Sequence, residues 1–217
     1  LLNILRSTIV MSVSNIDALK AVKTYINKDE ILDFYEFGVY SGHGLYDGYN
    51  QLVNIDKLYI NKFYGFDYFI GLTQEQDGIK RHIDWNIGEF NSLKFYNTNT
   101  IEECLQKIRE RSQIPNDKLD FIVGFYKDVL NKELFSKYNF KPAAYIHMDV
   151  DLYISAKQAL VWLIENKLFV KGTIIRYDDW DSIEEYSGGE SLAHKEICDI
   201  YNLKFNRINT NIFIYEE

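Results

Sequence analysis

Two apolar runs in the second half of the chain each end in a pair of aspartates, and this pattern restricts the fold most. Ala143-Ala144-Tyr145-Ile146-His147-Met148 leads to Asp149 and Asp151. Gly172-Thr173-Ile174-Ile175-Arg176-Tyr177 leads to Asp178-Asp179. Short, nearly continuous apolar runs read as strands buried on both faces, the habit of parallel sheets. Carboxylates at the C-terminal ends of neighbouring parallel strands converge on one crevice, where open α/β sheets bind ligands. Four acids in one crevice repel each other unless a cation is present, and oxygen-only ligands suit Mg²⁺, Ca²⁺ or Mn²⁺. A bland reading exists for each aspartate alone: Asp151 caps a helix, and Asp178-Asp179 open a loop. Repeated at two strand tips, that reading leaves a costly cluster of unpaired acids.

The rest of the chain alternates in the same way. A helix is expected after Ser14, with Ile16, Leu19, Val22 and Ile26 at helical spacing. Ile31 to Phe37 is the first strand. A turn through Gly38, Gly42 and Gly44 follows, then a helix with Leu45, Tyr49, Leu52 and Val53. Phe63 to Asp67 is a second strand ending in an acid, and Asp120 to Gly124 is a third. Between them, Ile101, Cys104, Leu105 and Ile108 fall at i, i+3, i+4 and i+7. Ala156, Ala159, Leu160, Leu163 and Ile164 mark a helix between the two aspartate-tipped strands, and another runs from about Ser191 to Tyr201. Lys204 to Ile208 and Ile212 to Tyr215, around Asn209-Thr210-Asn211, read as a closing hairpin. The expected fold is α/β: a doubly wound, mostly parallel Rossmann-like sheet with helices on both faces and a C-terminal antiparallel hairpin edge. One domain over residues 1–217 is expected, with residues 1–30 as an N-terminal helical extension.

Charge narrows the partners. A formal net charge of −8 argues against nucleic acid, whose binding relies on Lys and Arg neutralising phosphates. No apolar run approaches the roughly 20 residues that span a bilayer. The opening Leu1 to Leu5 is interrupted by Arg6 and lacks a clear small-residue cleavage site. A cytoplasmic protein with no membrane partner is expected. The two cysteines, Cys104 and Cys198, read as reduced structural residues.

The glycine turn adds a second chemical element. Glu36-Phe37-Gly38-Val39-Tyr40-Ser41-Gly42 follows a strand and opens a helix, so backbone and helix N–H groups can approach a ligand. Its spacing differs from the Gly-x-Gly-x-x-Gly dinucleotide fingerprint. Asp67, at the tip of the next strand, can accept hydrogen bonds from ribose hydroxyls. Together they describe a nucleoside site and favour S-adenosylmethionine over NAD.

These segments carry a resemblance. The chain is similar to the macrocin O-methyltransferase family of class I S-adenosylmethionine-dependent methyltransferases. The matching residues are Tyr35-Glu36-Phe37-Gly38-Val39 with Ser41-Gly42; the run Tyr64-Gly65-Phe66-Asp67-Tyr68-Phe69-Ile70-Gly71-Leu72; Val123-Gly124-Phe125-Tyr126-Lys127-Asp128-Val129-Leu130; and His147 to Ser155 with Tyr177-Asp178-Asp179. The resemblance implies methyl transfer to a hydroxyl of a small molecule, often a sugar of a natural product, with Mg²⁺. It makes Asp149 the general base and Asp151, Asp178 and Asp179 the metal ligands. Glu36, Phe37, Gly38, Val39, Ser41, Gly42, Asp67, Phe69, Gly124, Phe125 and Asp149 would lie around the cofactor. A homodimer is compatible with it. Trp180, where a Tyr is usual, Arg176 within an apolar strand, and Gly188-Gly189-Glu190 after the acidic stretch Asp181 to Glu185 depart from the pattern.

Two other classes compete. A glycosyltransferase could use Asp149-x-Asp151 to hold a metal and a nucleotide-sugar diphosphate, but leaves Asp67 and Asp178-Asp179 without a role. A non-catalytic nucleoside-binding relative would bind the cofactor without turnover. Among the histidines, His147 and His43 read as structural, His194 as a residue that could face the acceptor, and His82 stands outside any motif.

Overall fold

The computed structural model describes residues 15–81, 85–180 and 189–216. A seven-stranded sheet organises them. Its strands are β1 (Asp33–Phe37), β2 (Phe63–Asp67), β3 (Leu119–Val123), β4 (Ala143–Met148), β5 (Ile174–Tyr177), β6 (Phe205–Asn209) and β7 (Ile212–Tyr215), in the order β3-β2-β1-β4-β5-β7-β6. All pairings are parallel except those of β7 with β5 and β6. β7 alone is reversed, because a tight hairpin is the shortest way to return a strand beside its predecessor.

The observed strands start and end within two residues of the expected ones. β1 begins at Asp33 rather than Ile31, since Ile31 lies 56% exposed. Asp33 instead enters the sheet with its carboxylate satisfied by Asn61 Nδ2 (2.8 Å) and the amides of Lys62 (3.1 Å) and Lys141 (2.7 Å). The third strand is Leu119–Val123, one residue earlier than expected.

Helices cover both faces. The helix over residues 15–25 (α1), α2 (His43–Gly48) and α4 (Ile101–Ser112) enclose a core with Leu19, Phe34, Leu45, Phe63, Ile108 and Tyr145. α2 continues as a π-helical stretch, Tyr49–Ile55. The short α3 (Ser92–Tyr96) lies just before α4. Opposite lie α5 (Tyr126–Val129), α6 (Lys132–Tyr138), α7 (Tyr153–Glu165) and α8 (Gly189–Tyr201). Their core includes Phe37, Phe66, Met148, Trp162, Leu163 and Tyr177. No described helix is long and apolar enough to cross a membrane.

Winding reverses between β1 and β4. From β1 the chain moves outward through β2 and β3, and from β4 outward through β5. The loops leaving β1 and β4 therefore diverge, and a crevice opens at their C-terminal ends.

Candidate active site

A cavity of ≈ 280 Å³ occupies that crevice, near the lower end of small-molecule sites, about 300–1,000 Å³. Gly38 after β1, Asp67, Tyr68 and Gly71 to Gln74 at and after the end of β2, Gly124 to Lys127 after β3 and Asp149 to Leu152 after β4 contribute to its walls. Ile154, Ser155 and Gln158 of α7 close one side, and Phe90 another.

The glycine turn is held from both ends. Asp67 Oδ2 accepts from the amides of Val39 (2.8 Å) and Tyr40 (2.9 Å), and Oδ1 from Phe69 N (2.7 Å). Burial raises the Asp67 pKa, and these amide bonds oppose the rise. The Tyr68 amide adds to these three, so the carboxylate is a fixed anchor for the loops after β1 and β2. At the other end, Gly38 has φ +83°, and a Cβ there would lie 1.7 Å from the Asp149 carbonyl oxygen. Glycine is required at that position because the β1 and β4 loops touch backbone to backbone.

The aspartates extend the sheet beyond its strands. Asp149 N donates to Phe37 O and Asp178 N to Met148 O, each at 2.9 Å. Strand alternation then fails at Asp151, whose φ of +59° turns its carboxyl out of the strand pattern. Asp is one of the few residues that visits this region readily. The result is two neighbouring pairs. Asp149 and Asp178 can each offer an oxygen within 4.8 Å of the other and of a His147 ring nitrogen. Asp151 and Asp179 share a side-chain hydrogen bond.

Glu190, at the start of α8, joins the two loops. It is fully buried. Its Oε1 accepts from Val150 N (2.9 Å) and its Oε2 from Asp179 N (3.2 Å). Sequence reasoning noticed Gly188-Gly189-Glu190 only as a departure from pattern; an acid opening a helix after two glycines was the available signal. Replacing Glu190 by alanine strands both amides, which costs roughly 1–3 kcal/mol for each buried group left without a partner. We expect Glu190→Ala to lower unfolding free energy by about 2–4 kcal/mol in urea. A change within about 0.5 kcal/mol, the scatter of ordinary surface substitutions, would show that the loops hold without it.

Glu75 was also missed. Its carboxylate accepts from the first amides of α7, Tyr153 N (2.7 Å) and Ile154 N (3.1 Å). α7 has no side-chain cap of its own. An acid from the loop over the cavity therefore fills the anion-binding end of that helix, and only the tertiary structure brings residues 75 and 153 together.

Electrostatics single out the cluster. Burial first, then neighbouring carboxylates, raise Asp149, Asp151 and Glu190 well above the usual carboxylate range and push Asp179 up to about 7. In each case the folded value exceeds the unfolded one, so the native state holds more protons than the unfolded chain across that window. The stability from these groups is complete below the unfolded value near 4 and is lost as pH rises through the folded values. The slope is about 1.4 kcal/mol per pH unit for each proton taken up. In EDTA, the melting temperature should therefore fall between about pH 5.5 and about pH 7.5. Millimolar Mg²⁺ should flatten or reverse that trend, because a cation compensates ionised carboxylates. A melting temperature that rises over this range in EDTA would contradict the assignment.

The other expected site residues fall in different places. Gly38, Asp67, Gly124, Phe125, Asp149 and Asp151 line the cavity. Phe37 is core, stacked on Phe66 at 4.5 Å. Val39 and Phe69 contribute their amides to Asp67, with side chains buried. Ser41 accepts at its carbonyl from Tyr96 Oη (2.6 Å), and Gly42 packs on Ile108. Glu36 lies behind the sheet, 1% exposed, with Oε1 3.2 Å from His147 Nδ1. Asp178 and Asp179 stand at the β5 end, next to the cavity-lining aspartates and outside its wall. Trp180 is buried against Phe213 (4.3 Å) and His194 (5.1 Å), away from the cavity. His194 accepts or donates at Nδ1 to Tyr177 Oη (2.8 Å), and burial lowers its pKa to about 4, so it packs as a neutral ring. Cys104 and Cys198 are free, and burial pushes the Cys198 thiol up to about 11. His82, Asp181 to Glu185 and Gly188 lie outside the described residues.

Comparison with solved structures identifies the fold. The calicheamicin methyltransferase CalS11 superposes with a TM-score of 0.69 at 17% identity, over 96% of this chain and 79% of that one. The O-methyltransferase NovP gives 0.63 at 18%, over 95% and 78%. An O-methyltransferase from Bacillus cereus in complex with S-adenosylhomocysteine gives 0.52 at 10%, over 94% and 81%. The fold is that of the class I methyltransferases. No family model and no curated protein matches the chain by sequence.

Proposed function

We propose that the chain is a divalent-cation-dependent O-methyltransferase. It moves a methyl group from S-adenosylmethionine to a hydroxyl of a small molecule, a sugar or glycosylated natural product. The observation that carries this reading is the meeting, at one topological switch point, of a nucleoside-type loop and an acid cluster. Gly38 and Asp67 stand on one side of the cavity, and Asp149 and Asp151 on the other. CalS11, described also as a TDP-rhamnose 3'-O-methyltransferase, shares the fold and supports a sugar hydroxyl as acceptor.

A sulfonium methyl is already electrophilic, so the chemical task is to activate the hydroxyl. Gly38 and Asp67 form the nucleoside end of the cavity, with Gly124 and Phe125 along the wall. Asp151, Asp178 and Asp179 would hold the cation, leaving Asp149 to take the hydroxyl proton. Mg²⁺, when bound, supplies Lewis acidity that lowers the pKa of the acceptor hydroxyl. A base in hydrogen-bond reach contributes about 10²–10⁴ in rate. The donor chemistry fits: burial and then neighbouring carboxylates raise Asp151 and Asp179, a penalty that a hard cation relieves. A second assignment is favoured by the approach of Asp149 to Asp178 within 4.8 Å. In it Asp149 is a ligand and Asp151 the base. Asn variants separate the two: the ligand's loses Mn²⁺ binding, whereas the base's keeps it and loses turnover.

The test of the function is titration calorimetry with S-adenosylhomocysteine, followed by methyl transfer to a panel of sugar and catechol diols. Expected are saturable binding, a higher melting temperature with ligand, and turnover that EDTA abolishes. Stabilisation by a nucleoside diphosphate, and none by S-adenosylhomocysteine, would overturn the reading in favour of sugar transfer.

A further inference from the structure

One buried charge lies outside the chemistry above. Arg176 is 2% exposed in β5, in a strand otherwise made of Ile174, Ile175 and Tyr177. Strand register aligns Glu36 of β1, His147 of β4 and Arg176 of β5 in one row. The row lies on the face covered by α1, α2 and α4, behind the cavity.

The hydrogen bonds along it have a definite sense. Arg176 Nη1 lies 2.5 Å from His147 Nε2. A guanidinium has only donors, so Nε2 accepts. Burial and the guanidinium both hold the His147 pKa well below its ordinary value, so the ring is neutral. Its proton is therefore on Nδ1 and is donated to Glu36 Oε1 at 3.2 Å. Gly44 makes room for this pair: a Cβ there would lie 2.2 Å from Glu36 Oε1. With both nitrogens engaged, His147 has no lone pair for a metal, although it sits beside Asp149 and Asp178.

The other end of the guanidinium reaches the acids. Arg176 Nη2 is 2.6 Å from Asp178 Oδ1. A positive charge thus already stands at the Asp178 edge of the carboxylate cluster, held from behind by the His147–Glu36 pair. Any cation bound by the remaining carboxylate oxygens is repelled by it across a poorly solvated distance.

We propose that Arg176 is a resident counter-ion that occupies the Asp178 edge of the acid cluster and weakens its affinity for a divalent cation. This rests on the cation-dependent reading above. The cluster remains assembled without metal, and a cation binds reversibly rather than as a permanent structural part.

The experiment is calorimetric titration of Mn²⁺ into the full chain and into Arg176→Met and Arg176→Lys, with S-adenosylhomocysteine titrated into each in parallel. Arg176→Met should bind Mn²⁺ about tenfold tighter or more, because the repulsion is gone. Arg176→Lys keeps the positive charge and hence the repulsion, and should stay within about threefold of the unchanged protein. If Arg176→Met is unfolded in EDTA, Mn²⁺ should restore its native circular dichroism, the ion replacing the lost guanidinium. Equal or weaker Mn²⁺ binding by folded Arg176→Met, no Mn²⁺ binding by any of the three, or failure of Mn²⁺ to refold the variant would each overturn the proposal. Loss of the S-adenosylhomocysteine signal in the unchanged protein would instead sink the methyltransferase reading, while the Mn²⁺ comparison is still read.

Discussion

Asp149→Asn should reduce methyl transfer by about 10³-fold while leaving S-adenosylhomocysteine binding within about threefold. Asparagine has the shape of aspartate but carries no charge and accepts no proton. General-base removal costs about 10²–10⁴ in rate. Asp149 is itself pushed well above the usual carboxylate range, by burial first and then by the charges of Asp178, Asp151 and Asp179. The backbone of Asp149 keeps its place, because its amide bond to Phe37 O and its contact with Gly38 do not involve the side chain. The fold and the nucleoside end of the cavity should therefore survive. The measurement is single-turnover transfer of a labelled methyl group to the best diol acceptor, beside calorimetric binding of S-adenosylhomocysteine. Activity within tenfold of the unchanged enzyme would remove Asp149 from the chemistry under both assignments of the acids.

The second large effect is structural. Gly38→Ala should abolish the folded state, or destabilise it by more than about 4 kcal/mol, beyond what ordinary substitutions reach. Two penalties combine. The residue would have to keep a φ of +83°, which strains any residue with a Cβ by about 1–2 kcal/mol. Its Cβ would also meet the Asp149 carbonyl oxygen at 1.7 Å and the carbonyl carbon at 2.6 Å. Backbone atoms cannot rotate away as a side chain can, so β1 and β4 must separate at the switch point. That movement would also displace Gly38 N from Phe66 O, to which it donates at 2.9 Å. Circular dichroism and urea unfolding of the variant check the outcome. A native spectrum with a midpoint close to the parent's would mean that the two loops are not in contact in solution. As an internal control, Gly78→Ala meets nothing within 4 Å, though it too has a positive φ, +84°. It should cost only the backbone strain, about 1–2 kcal/mol.

The acid-tipped strands were legible because a parallel strand is buried on both faces and so reads as an apolar run with an abrupt polar end. For the same reason the positions of β2 and β4 agree with those read from sequence, and Asp67, Asp149 and Asp151 fall on the cavity. The doubly wound order followed from strands alternating with helices. Short helices carried weaker signals. α5 spans four residues, too few for a periodic face, and it was not read at all.

Side-chain destinations were the larger gap. Glu36 stands in the glycine-turn motif, yet its position along β1 points it to the face opposite the Phe37 core. Its nearest partner is His147, 111 residues away. Val150 and Glu190 are 40 residues apart, and Tyr153 and Glu75 are 78 apart. Local sequence holds no record of such pairs, because hydrogen bonds at these separations exist only once strand order and register are set.

The chain by itself determined that a sheet would form, which runs would build it, and that acids would gather at its C-terminal edge. Hydrophobic periodicity and strand polarity are local properties, repeated every few residues. Tertiary structure alone decided that Gly38 packs against the Asp149 backbone, that Glu190 ties the two aspartate loops together, and that Arg176 meets Asp178. Each depends on which strands are neighbours and on their register, and a shift of one residue sends a side chain to the other face of the sheet.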